Sequence, residues 1–114
     1  MDANTWDQIN QIRAWLDDNT GHQTETERNL LRVLKIGEEF GEVSEALHGA
    51  LSANPRKGRS HTWDDVRKEL IDVAVTTFVA LATLTPDAEQ EFGDRLQHLI
   101  DRVTPSSPDL SGRE

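Results

Sequence analysis

From Val73 to Leu84 the chain reads VAVTTFVALATL, twelve residues without a charge in a sequence in which 29% are charged. The run is too short to cross a bilayer, which takes about 20 apolar residues in a helix. A helix that is apolar nearly all round has to be covered on more than one side. The remainder of the chain must supply that cover, and its pattern offers helices. No stretch shows the strict apolar–polar alternation of a half-buried strand.

Start signals place the helices. Thr5-Trp6-Asp7-Gln8 reads as a capping box and predicts a helix carrying Ile9, Ile12, Trp15 and Leu16, ending near Gly21. Thr24 with Glu27 is a second capping box, opening a long helix to about Ala53. Residues 54–61, NPRKGRSH, are a loop by their Pro, Gly and Ser content. Thr62 with Asp65 three residues on predicts a third helix to about Leu84. Thr85-Pro86 is a cap followed by proline at the first helical position, and the fourth helix runs to about Val103. Thr104 to Glu114 holds two Pro and three Ser and is expected to be a disordered tail. The expectation is one all-α domain over residues 1–103, an antiparallel four-helix bundle joined by short loops.

Charge narrows the partners. The formal net charge of −9 argues against a general nucleic-acid binder, which would show a basic face. With no cysteine, disulfides and thiolate metal sites are excluded. The first residues, Met1-Asp2-Ala3-Asn4, carry no basic and then apolar leader. A soluble, cytoplasmic protein without membrane association is the expectation.

The acids themselves are clustered. Glu38-Glu39-Phe40-Gly41-Glu42 is followed one turn later by Glu45, and Glu69-Leu70-Ile71-Asp72 leads directly into the uncharged run. Residues three or four apart share a helix face, so Glu39 stands with Glu42 and Glu69 with Asp72. Alone, the first cluster is what any amphipathic helix shows to water, opposite Val33, Ile36, Phe40, Val43, Leu47 and Leu51. The second differs, because Asp72 heads a stripe continued by Thr76 and Thr83 into packed surroundings. An unpaired carboxylate there is costly. If the two helices pack together, four carboxylates meet, and a hard divalent cation with oxygen ligands relieves their repulsion. Mg2+ is the expected ion, with Mn2+ also suited to such donors. Glu38 and Glu45 flank the set.

The two-part pattern EEFGE then ELID, separated by a basic loop, resembles the MazG-like branch of the all-α nucleoside triphosphate pyrophosphohydrolases. The likeness extends from LKIGEEFGEVSEAL through NPRKG to HTWDDVRKELIDV, roughly Leu31 to Leu84. It implies Mg2+-dependent cleavage of a nucleoside triphosphate between its α- and β-phosphates, giving the monophosphate and pyrophosphate. It carries the four metal ligands onto Glu39, Glu42, Glu69 and Asp72, with Glu38 assisting. It also implies a homodimer or a dimer of dimers. Some members have an asparagine after the second acidic pair; Val73 to Val79 has threonines instead, which leaves base and sugar preference open.

Further roles follow for that chemistry. Glu38 or Glu42 is the candidate to accept the proton of the attacking water. Arg56, Lys57 and Arg59, in the loop joining the two acidic helices, are candidates to hold the leaving pyrophosphate. Lys35 and Lys68 are either phosphate contacts or counter-charges to the acids. Trp63 is either a stacking platform for a base or a packing residue at a helix start. Two rivals remain. A carboxylate-bridged di-iron bundle needs two Glu-x-x-His motifs, and only Glu45-x-x-His48 is present. A helical dimer binding nucleotide or a partner without turnover fits the same acids, as do the related hydrolyses of dUTP and phosphoribosyl-ATP.

Overall fold

Two capping boxes open the two helices that carry the acids. The computed structural model describes residues 1–53, 55, 56 and 58–104 as four helices, with no strand among them. They are α1 (Ala3–Asn19), α2 (Glu25–Ala50), α3 (Trp63–Leu84) and α4 (Ala88–Val103). At the start of α2 the Thr24 hydroxyl accepts from the Glu27 amide while the Glu27 carboxylate accepts from the Thr24 amide. Thr62 and Asp65 repeat the exchange at α3. Each box satisfies amides that a helix start otherwise leaves unpaired.

Three predicted ends move. α1 begins earlier, because Asp2 rather than Thr5 is the cap: its carboxylate accepts from the Thr5 amide at 2.8 Å. α2 stops at Ala50 rather than Ala53. Ser52 takes a left-handed φ of 55°, its amide donates to Gly49, and the Ala53 amide donates to the His48 carbonyl at 3.0 Å. This is the Schellman ending, which glycine usually signals and a serine does not. α4 begins at Ala88; Pro86 lies in the preceding turn, where the Thr85 hydroxyl accepts from the Asp87 amide. The predicted tail, apart from Thr104, lies outside the described residues.

α3 is the hub. It packs along α2 as an antiparallel pair and also touches α1 and α4. Trp6 of α1, Phe78 of α3 and Phe92 of α4 form an aromatic triangle, with ring centroids 5.0–6.0 Å apart and Phe78 edge-to-face with both others. Ile9, Val79, Ala82 and Ala88 complete that core. A second core joins α2 to α3 through Ala46, Ala50 and Val66, small enough for close approach of the two helices.

Near the C-terminal end of α3, α2 is tied to α1 and α3 by a charge. Arg32 is almost fully buried and its guanidinium donates to Asp17 at 2.6 Å, to Thr83 at 3.0 Å and to Thr20 at 3.3 Å. Arg13 and Arg28 also approach Asp17. Burial works against the Asp17 carboxylate, but the Arg32 hydrogen bond and the three cationic charges outweigh it and hold its carboxyl below the ordinary value of 3.8.

The arrangement is bundle-like but open. The chain axis turns by 117° between α3 and α4. The Cα radius of gyration is 18.9 Å, where a compact chain of 100 residues measures about 13 Å. Leu30, Leu34, Phe40, Ile71, Leu96 and Val103 are exposed. Among the described residues no single helix is long and apolar enough to cross a membrane.

Candidate metal centre

The ladder of the α2–α3 pair explains why the acids meet. Ala46 packs on Val66. One turn before Ala46 stands Glu42, and one turn after Val66 stands Glu69. In antiparallel helices these positions face one another. A further turn along each helix brings Glu39 and Asp72. The result is a group in which carboxylate oxygens of Glu39, Glu69 and Asp72 all lie within 4.8 Å of one another.

Glu42 belongs to the rim rather than to this closest trio. Its carboxyl faces Glu69, and that contact, with the charges of Glu39 and Glu69, raises its pKa above 4.5. One Glu69 oxygen, Oε2, is shielded from solvent and has no hydrogen-bond partner. Such an orphaned acceptor is uncommon in a folded protein and marks a position where a cation fits. Side-chain exposures of 15% for Glu39, 18% for Glu69 and 43% for Asp72 make the centre half-open. Asp72 is thus more accessible than its place before the apolar run predicted.

The lysines act first as counter-charges. Lys35 Nζ is 3.6 Å from Glu38 and 3.9 Å from Glu39. Lys68 Nζ is 3.5 Å from Glu69 and 3.7 Å from Asp72, and these two acids raise its pKa. Asp72 therefore has a cationic partner one turn upstream on its own helix. The acids, Glu38 included, outnumber these two ammonium groups, and the surplus of negative charge favours a divalent cation. The donor set is all oxygen, as Mg2+ and Mn2+ require.

Other predicted residues scatter. Glu38 is exposed beyond Lys35. Arg56 and Arg59 are exposed in the loop, and Lys57 lies outside the described residues. Trp63 is half-exposed at the first position of α3. Sequence reasoning missed the Asp17–Arg32 tether, whose partners are fifteen residues apart and share no motif. It also missed a cavity of about 650 Å³ beside the acids, between α2 and the α2–α3 loop. The four-residue spacing of Gly41, Glu45 and Gly49 is its only trace in the sequence.

Comparison with known proteins returned no matching family model, no matching curated protein and no matching solved structure.

Proposed function

We propose that this chain is a Mg2+-dependent nucleoside triphosphate pyrophosphohydrolase of the MazG-like kind, working as a homodimer or a dimer of dimers. The observation that carries the reading is the meeting of Glu39, Glu69 and Asp72 within 4.8 Å, with an orphaned Glu69 oxygen. The sequence pattern of two acidic pairs around a basic loop supports it. So does the open form of the single chain, whose exposed apolar side chains a second copy would cover.

Glu39, Glu69 and Asp72 would hold the ion, with Glu42 within reach at the rim. Bound there, it would neutralise the triphosphate and stabilise charge on the reacting phosphoryl group. The chain's own groups do the rest. Water attacks the α-phosphorus, the bond from that phosphorus to the α–β bridging oxygen breaks, and pyrophosphate leaves with the electron pair. Glu42 accepts the proton of the water; the neighbouring acids Glu69 and Glu39 raise its pKa, which makes its carboxylate a stronger base. Lys35 and Lys68, poised at the edges of the acids, turn to the phosphate oxygens when an ion takes over the carboxylates.

Pyrophosphate release from a panel of ribo- and deoxyribonucleoside triphosphates tests this, with Mg2+, with EDTA, and in Glu69→Gln. Metal-dependent release that is lost in the variant is expected. Orthophosphate in place of pyrophosphate, or turnover that survives both EDTA and Glu69→Gln, refutes it.

A further inference from the structure

We propose that the cavity between the C-terminal half of α2 and the α2–α3 loop is the sugar subsite, in which the Glu45 carboxylate accepts hydrogen bonds from the ribose hydroxyls. The inference rests on the hydrolase reading above and adds that the enzyme selects ribonucleotides over deoxyribonucleotides.

The cavity begins where the acids end. Gly41, Ser44, Glu45 and His48 line it from α2, and Pro55 and Ser60 from the loop. The four α2 positions recur at three- and four-residue spacing, so they form one helix face. Gly41 immediately precedes Glu42. Its missing side chain leaves open space, since a Cβ built there meets no atom within 4 Å. At Gly49 the opposite holds, and a Cβ would collide with Ser60 and His61. The loop is therefore seated directly on the α2 backbone, where it forms a fixed wall. A volume of about 650 Å³ suits a small-molecule moiety.

The lining decides the chemistry. No described lysine or arginine borders the cavity, and a carboxylate does. Among the described residues that line it, a phosphate placed there would face Glu45 without a counter-charge. A neutral group rich in hydroxyls finds an ionised acceptor, with the Ser44 hydroxyl and the His48 imidazole beside it. Ionised acceptors make the stronger hydrogen bonds. Position agrees with this. Glu45 lies six residues beyond Glu39, about 9 Å along the helix axis. A 5′-nucleotide with its α-phosphate at the ion covers most of that distance to its ribose hydroxyls, and the Glu45 side chain covers the rest. Lys35 sits one turn to the other side of Glu39, 3.9 Å from it. Along α2 the acids thus have Lys35 at one end and a hydroxyl acceptor at the other, with Lys68 reaching Glu69 and Asp72 from α3. The diphosphate tail extends toward Lys35 and the nucleoside toward Glu45.

The test compares kcat/KM for ATP and dATP, and the binding of AMP and dAMP with Mg2+ by calorimetry. Both use the full chain, as wild type, Glu45→Ala and Gly41→Leu. A hydrogen bond to an ionised acceptor predicts a preference for ribose of about ten-fold or more. Glu45→Ala should abolish it by weakening ATP more than dATP, which lacks the 2′-hydroxyl; a merely structural change would weaken both equally. Gly41→Leu, which fills the cavity and favours the helix, should raise KM for both nucleotides. Equal use of ATP and dATP by the wild type, or a preference that survives Glu45→Ala, overturns the inference. Absence of any turnover defeats the hydrolase reading, and AMP against dAMP binding then decides the subsite alone. Discrimination removed by Glu45→Ala upholds it, and equal or no binding overturns it.

Discussion

Replacing Glu69 by glutamine should make the metal-free protein more stable. The Glu69 carboxylate meets those of Glu39 and Asp72 within 4.8 Å. At that separation two unit charges repel by about 0.9 kcal/mol in water and about 3.5 kcal/mol at the effective dielectric of a protein surface. The half-open centre lies between these limits. The substitution removes two such repulsions, the repulsion of Glu42, which also faces Glu69, and one attraction, that of Lys68 at 3.5 Å. The balance is at least one pair, roughly 1–2 kcal/mol or more of stabilisation, which raises Tm by about 4 °C or more in a domain of this size. Bound Mg2+ works in the opposite direction, stabilising the wild type by about 2.7 kcal/mol at a hundred-fold excess over Kd. Thermal unfolding at fixed protein concentration, in EDTA and in Mg2+, checks both. The variant should unfold at the higher temperature in EDTA and gain little from Mg2+, so that the order of the two proteins reverses. A variant less stable than wild type in EDTA, or one with an unchanged Mg2+ shift, would refute the account of these acids as a strained cation site.

Other expectations concern the frame around the site. Arg32→Ala should cost about 2–3 kcal/mol in urea unfolding, because it strips charged hydrogen bonds from Asp17 and leaves Thr83 and Thr20 without their donor. Since the Asp17 pKa is lowered in the fold, its contribution is present above 3.8 and fades as pH falls through the folded value; Asp17→Asn should flatten stability against pH below 3.8. Ser52→Gly relieves a left-handed residue with φ 55° and should stabilise by about 1 kcal/mol; a loss of stability would contradict the assigned turn. Paired substitutions of exposed apolar positions, Leu34→Glu with Leu96→Asp, should shift sedimentation from dimer to monomer while leaving helical circular dichroism in place. A wild type that already sediments as a monomer at micromolar concentration would remove the dimer.

Helix identity was legible because its determinants are local. Thr24 with Glu27 and Thr62 with Asp65 close their boxes as their spacing predicted, and the uncharged run does lie in the helix that touches all others. Ends were less legible where the chemistry was unusual for its position. Asp2 outcompetes Thr5 as a cap, and a serine adopts the conformation that glycine normally marks. At the candidate site, the periodicity of 3.6 placed Glu39, Glu69 and Asp72 on facing stripes, but could not rank their distances. Glu42 lies outside the tightest trio although it faces Glu69. Periodicity does place Lys68 four residues before Asp72 on the same helix face, a pairing that the expectation of an unpaired Asp72 overlooked. The Asp17–Arg32 contact joins different helices and has no local signature.

The candidate ligands all come from one helical hairpin, α2 and α3, joined by a short loop. That has a consequence for how the protein folds. The hairpin closes over a small sequence separation, and contacts of that kind form early and fast. α1 must bring Trp6 and Asp17 to partners much further along the chain, and α4 adds one more edge to an existing core. Substitutions at Ala46 or Val66 should therefore slow refolding, and substitutions at Trp6 should mainly accelerate unfolding. The acids would be brought together while the outer helices are still unformed, and an ion present at that moment would act on the folding rate as well as on the finished site.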